Sequence, residues 1–91
     1  MTANNTVGAW TPFNFDLTAD AKQVLEEATP LGVKYTPLAF ATQVVAGTNY
    51  SYLSKAETVV VPEAALRVVV IRVHKPLSGK PYVTSIVEVN P

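Results

Sequence analysis

The chain has 91 residues, 48% of them hydrophobic, a length that holds one domain and buries only roughly 60–65% of its unfolded surface. Seven Lys and Arg balance seven Asp and Glu, which leaves no basic footprint for nucleic acid and no polybasic patch for a membrane. With no cysteine and one histidine, His74, the chain excludes disulfides, thiolate metal sites and cysteine nucleophiles. It offers no catalytic or metal-ligating set, and no cofactor site is expected.

Residues 1–7 read as a flexible trunk. Met1 to Asn5 is polar and lacks the apolar centre of a signal peptide. No apolar run approaches the roughly 20 residues of a membrane span. The expected location is therefore cytoplasmic, or secreted if the sequence is a mature form. A secreted domain of this size more often carries disulfides. Asn4-Asn5-Thr6 and Asn49-Tyr50-Ser51 fit the glycosylation sequon and are read as chance matches, the second because it falls on a strand.

Val7 to Pro12 is extended, held by Trp10, Pro12 and Phe13. Trp10 is expected to pack rather than bind. Asp16 or Thr18 can cap a helix start. Leu17, Ala21, Val24, Leu25 and Ala28 then form one helical stripe. Asp20, Lys22, Gln23, Glu26 and Glu27 fill the solvated side. Thr29-Pro30 ends the helix, and Gly32 helps the turn.

Strand patterning follows. Val33 to Val45 is extended, with Pro37 marking an edge or a bulge. Thr48 to about Val61 is the second strand, and Pro62-Glu63-Ala64 turns the chain. Leu66 to His74 is the third, and its Val68-Val69-Val70-Ile71 centre is apolar on both faces, as in a central strand. Lys75 to Pro81 is the next turn, and Tyr82 to Val89 the last strand. Short connections make each pair antiparallel. A lone helix with one apolar stripe must cover one face of such a meander, and twist wraps the sheet around it. The expected fold is α+β, one helix and a four- to five-stranded antiparallel sheet, in a single domain over 1–91. Tyr50 and Tyr52 share a face and should pack. His74, at a strand end, reads as solvated or structural.

The stretch Gln43-Val44-Val45-Ala46-Gly47 stands apart. It puts small apolar side chains at a hairpin tip, where tips are normally polar, and suggests a surface that enters another protein's groove. In a meander the Gln43–Gly47 and Lys75–Pro81 turns lie at the same end. With the N-terminal segment beside them, three elements would form a linear apolar wedge.

These residues carry a resemblance. Gln43 to Gly47 matches the Q-x-V-x-G motif of the cystatins, and QVVAGTNY is similar to its stefin and plant-cystatin forms. Val7-Gly8-Ala9-Trp10-Thr11-Pro12 resembles the plant form V-G-G-W-x-P, with Ala9 in place of the second glycine. Pro76-Leu77 stands where the family usually has Pro-Trp. The plant helix pattern L-A-R-F-A is absent, so no subfamily is assigned. No asparagine follows the helix, so legumain inhibition is not carried over.

The resemblance implies a cystatin-like fold and a reversible inhibitor of papain-like, cathepsin-type cysteine proteases, not an enzyme. Val44, Val45 and Ala46 would fill the slot. Gly47 would allow close backbone approach, and Gln43 would brace the turn. Val7 would occupy a substrate-side pocket, with Gly8 allowing the trunk to pass the wall and Ala9 beside it among the protease-binding positions, and Pro76 and Leu77 would rest on the opposite rim. Leucine is a weaker anchor than tryptophan. That departure keeps open a non-inhibitory binding or self-associating module on the same fold. The expected state is a monomer, with a domain-swapped dimer possible if the first hairpin opens.

Overall fold

The computed structural model describes residues 8–30, 32–58 and 66–91. It is a small α+β domain: one helix, α1 (Ala19–Ala28), then β1 (Val33–Val45), β2 (Gly47–Thr58), β3 (Leu66–Lys75) and β4 (Tyr82–Glu88). The strands form one open antiparallel sheet in the order β1-β2-β3-β4. The expectations for the trunk 1–7, Val7 included, and for the Pro62-Glu63-Ala64 turn lie outside the described residues. No helix among them is long and apolar enough to cross a membrane.

Local chemistry sets the helix ends. Thr18 is the N-cap, and its Oγ1 accepts the Ala21 N–H at 3.1 Å, which satisfies one of the donors a helix start leaves free. Asp20 in the first turn suits the positive end of the helix dipole. The helix therefore starts after Leu17, which precedes the cap instead of opening the stripe. At the other end the Thr29 N–H and Oγ1–H both donate to the Leu25 carbonyl, at 3.1 and 2.8 Å, and Pro30 bars continuation.

Ala21, Val24 and Leu25 bury the helix stripe against Tyr52, Ala56, Val69, Ile71 and Val73. Burying a valine or leucine side chain in this way contributes about 1.5–3 kcal/mol. The Tyr52 hydroxyl, fully buried, donates to the Ala21 carbonyl at 2.7 Å and ties helix to sheet. Its ring stacks on Tyr50 with centroids 5.8 Å apart. Burial pushes the Tyr52 phenol well above its usual range, and Tyr50 beside it adds to the shift. Tyr50 is raised less, by burial first and then by Asp20. No buried side-chain polar atom among the described residues lacks a partner.

Two irregularities carry physical information. The β1–β2 register shifts between Pro37 and Ala39, so Pro37 marks a bulge on an outer strand, where its missing N–H does least harm. The β3 strand is central, but only one of its faces is covered by the described residues. Val69, Ile71 and Val73 are buried toward the helix, whereas Val68 is exposed and Val70 half-exposed on the other side.

The free edge of β1 is covered by the segment before the helix. Gly8 N–H donates to the Val44 carbonyl (3.1 Å), Thr11 N–H to that of Thr42 (2.9 Å), and Asn14 and Phe40 exchange both bonds at 2.8 and 2.9 Å. Thr11 Oγ1 also accepts the Thr42 N–H. These bridges make a broken fifth strand, and they blunt an edge that would otherwise pair with other chains.

Candidate functional site

The hairpin β1–β2 turns through Ala46 alone, because Val45 and Gly47 are paired across it. The apex is correspondingly thin. Val44 is 56% exposed, Ala46 is exposed, and Val45 and Gly47 are half-exposed. None of the four carries a charge. Thr48 pairs with Lys75, so the β3–β4 connection over Pro76–Pro81 leaves the sheet at the same end. Leu77 there is 85% exposed, and Pro76 is half-buried.

Gly47 holds the two turns together. Its φ is +96°, a conformation that only glycine adopts without strain. A Cβ at this position would collide with the Lys75 carbonyl oxygen and would lie 3.0 Å from Pro76 Cα and 3.2 Å from Leu77 N. All three are backbone atoms, which cannot rotate away. The close approach that Gly47 permits is thus between the two turns of this chain. An acidic side chain at 47 would displace the second turn as well as block the tip, so a Gly47→Glu variant would not leave the local fold intact.

Gly8, also at positive φ (+90°), lies beside the hairpin through its bond to Val44. Ala9 is half-buried. Gly8, Ala46 and Leu77 therefore share one end of the sheet, the two turns by the order of the meander and Gly8 by its bond to Val44. Of the expected wedge residues, Ala9, Gln43, Val44, Val45 and Pro76 belong to the same end, and only Val7 lies outside the described residues.

A row of side chains crosses the outer face of the sheet just behind this end. Trp10 opposes Gln43, Gln43 opposes Asn49, Asn49 opposes His74, and His74 opposes Tyr82. Gln43 Nε2–H donates to the Gly8 carbonyl at 2.7 Å, and Asn49 Nδ2–H donates to Gln43 Oε1 at 2.8 Å. His74 Nδ1 lies 2.6 Å from Asn49 Oδ1. The His74 ring meets Tyr82 edge-on, with centroids 5.6 Å apart. Next to this row Ala41, Ser51 and Arg72 are cross-strand neighbours. The Arg72 guanidinium sits 5.2 Å from the centre of the Trp10 ring, a cation–π contact. Trp10 thus packs on the outer face, and its segment is anchored on β1.

Sequence reasoning reached Gln43 but not Asn49, His74 or Arg72. A signal was available, since Gln43 and Asn49 stand three residues either side of Ala46. An apex at Ala46 makes them direct partners. Nothing local points to His74, because its pairing depends on the β2–β3 register. The structure makes it structural rather than solvated. Asn49, bonded on a strand, also suits the reading of its sequon as fortuitous. Among the described residues no group of His, Asp and Glu is placed to hold a metal.

A concave region of about 1000 Å³ lies at the far end of the domain, between α1 and the start of β1. Its lining includes Phe15, Lys22, Glu26, Lys34, Tyr35 and Pro37. It shares no residue with the thin end. No protein-family model matches the chain, and no curated protein or solved structure matches it either.

Proposed function

We propose that this protein is a cystatin-like, reversible, competitive inhibitor of papain-like cysteine proteases, and that the end formed by Gly8, Val44–Gly47 and Pro76–Leu77 is the inhibitory wedge. One observation carries the reading. Three separate backbone segments, Gly8, Val44–Gly47 and Pro76–Leu77, meet at one thin end of the sheet; none of these residues is charged, and two of the segments present exposed aliphatic side chains, Val44 and Leu77. The Q-x-V-x-G match at Gln43–Gly47 adds to it.

The mechanism is one of shape and desolvation. A papain-like protease has a narrow slot with a cysteine and a histidine at its floor. A hairpin that turns through a single alanine is thin enough to enter such a slot. Val44, Val45 and Ala46 would displace its water, and Leu77 would cover one rim. In the resembled family the slot is blocked without a scissile bond being presented to the cysteine, and the same mode here would leave the thiolate unacylated. An interface of standard size buries about 1,600 Å² and spans micromolar to picomolar affinity according to its anchors.

The test uses exposed residues whose loss does not disturb the core. Val44→Asp and Leu77→Asp should each weaken inhibition of papain at least tenfold while the unfolding midpoint stays put. Full inhibition by both variants would remove this end from the mechanism. The aliphatic Leu77, where the resembled family usually has tryptophan, favours a second reading, a binding module of the same fold with another protein partner. Absence of any papain inhibition at micromolar protein would select it.

A further inference from the structure

The chain of side-chain hydrogen bonds behind the thin end has a fixed direction. The Gly8 carbonyl can only accept, so Gln43 must turn its Nε2 toward it. Gln43 Oε1 then faces Asn49 and requires the Asn49 Nδ2 donor. This leaves Asn49 Oδ1 to face His74, so the hydrogen in that bond must be on His74 Nδ1. One backbone carbonyl, that of Gly8, thereby dictates a histidine tautomer three strands away. His74 immediately precedes Lys75, whose carbonyl lies against Gly47. This series of bonds begins at the base of the second turn, crosses the base of the first, and ends on Gly8.

We propose that Asn49 and His74, acting through Gln43, are positioning residues that lock the segment at Gly8 and the two turns into one arrangement before any partner binds. Preorganisation of this kind raises the fraction of molecules able to bind, and so raises the apparent affinity. It does not require that either residue touch the partner. The inference about binding rests on the wedge reading, whereas the lock itself is a property of the free protein.

The experiment has two arms. In the free protein, nitrogen-15 NMR of the His74 ring at neutral to mildly alkaline pH should find the Nδ1–H tautomer, the form that free histidine disfavours. The Nε2–H form would overturn the proposal. Amide exchange of Gly8, whose N–H bonds Val44, should accelerate about two- to tenfold in Asn49→Leu, the range expected for losing one net hydrogen bond. Exchange of the Tyr52 and Ile71 amides should stay unchanged.

Asn49→Asp supplies the directional control. It keeps the acceptor for His74 but has no hydrogen for Gln43, and its carboxylate attracts the Gln43 amide away from Gly8. It should therefore release Gly8 as Asn49→Leu does. Unchanged Gly8 exchange in both variants, or an equal rise at Tyr52 and Ile71, refutes the lock. In the second arm, the association rate with papain should fall about two- to tenfold in Asn49→Leu. If Gly8 is released and that rate is unchanged, the role in binding is refuted while the lock stands. If the wild-type protein does not bind papain, the wedge reading fails and the first arm still judges the lock.

Discussion

Replacing Gly47 by alanine is the sharpest probe of how the two turns are joined. The perturbation has two parts. A non-glycine residue at positive φ costs about 1–2 kcal/mol. The added Cβ must also move the backbone of Lys75, Pro76 and Leu77, the last two lying 3.0 and 3.2 Å away. Overpacking of this kind costs about 1–3 kcal/mol, and no side-chain rotation relieves it. The combined loss is about 2–5 kcal/mol, against a total stability of roughly 5–14 kcal/mol for a domain this size.

With a urea slope near 1 kcal/mol/M, the unfolding midpoint of Gly47→Ala should fall by about 2 M or more. Gly8→Ala is the matched control. Gly8 has a similar φ, but a Cβ there meets nothing within 4 Å. It also lies on an edge segment that can detach without unfolding the core, so its midpoint should move by less than about 1 M. Equal shifts in the two variants would refute the claim that Gly47 is required by the contact between turns. An unchanged midpoint in Gly47→Ala would do the same.

Other consequences follow from single contacts. Tyr52→Phe removes the hydroxyl bond to Ala21 and should cost about 0.5–1.5 kcal/mol in urea unfolding, without loss of helix signal. Because burial raises the Tyr52 phenol in the folded state, the folded form holds its proton more tightly than the unfolded chain. This contribution is complete below the ordinary tyrosine value of 10.0 and is lost as pH rises above it. The wild-type protein should therefore destabilise above about pH 10, with a shallower loss in Tyr52→Phe. Equally steep alkaline profiles would contradict that assignment. Thr18→Ala deletes the cap on Ala21 and should cost about 0.5–2 kcal/mol, read as a lower thermal midpoint. Leu77→Trp, at a site 85% exposed, should leave stability unchanged and tighten papain binding by roughly tenfold or more, since tryptophan is the stronger interface anchor.

The parts of this fold that follow from periodicity were legible. A helical stripe at Ala21, Val24 and Leu25 and strand-length apolar runs fixed one helix on a meander. Val33–Val45 emerged with the bounds its pattern gave. Pro37 marked its own bulge because a missing N–H has few places to sit. The shared end of the two turns followed from antiparallel order alone. Features set by tertiary register were not legible. Gly47 reads as a hairpin glycine, but its closest neighbours come from residues 75–77, nearly thirty positions on. His74 reads as a lone surface histidine until β3 is aligned on β2 opposite Asn49. The apolar run in β3 suits the central strand it forms, yet the described residues cover only one of its faces, because among them there is one helix to lie on the sheet.

Inhibition of papain is the most direct test of the proposed wedge. Residual activity titrated with the wild-type protein should fall as reversible inhibition, competitive with substrate, and the inhibitor should be recovered uncleaved. Leu77→Asp should shift that titration at least tenfold without changing stability. Undiminished papain activity at micromolar protein, or recovery of a chain cut at Val44–Gly47, would contradict the account.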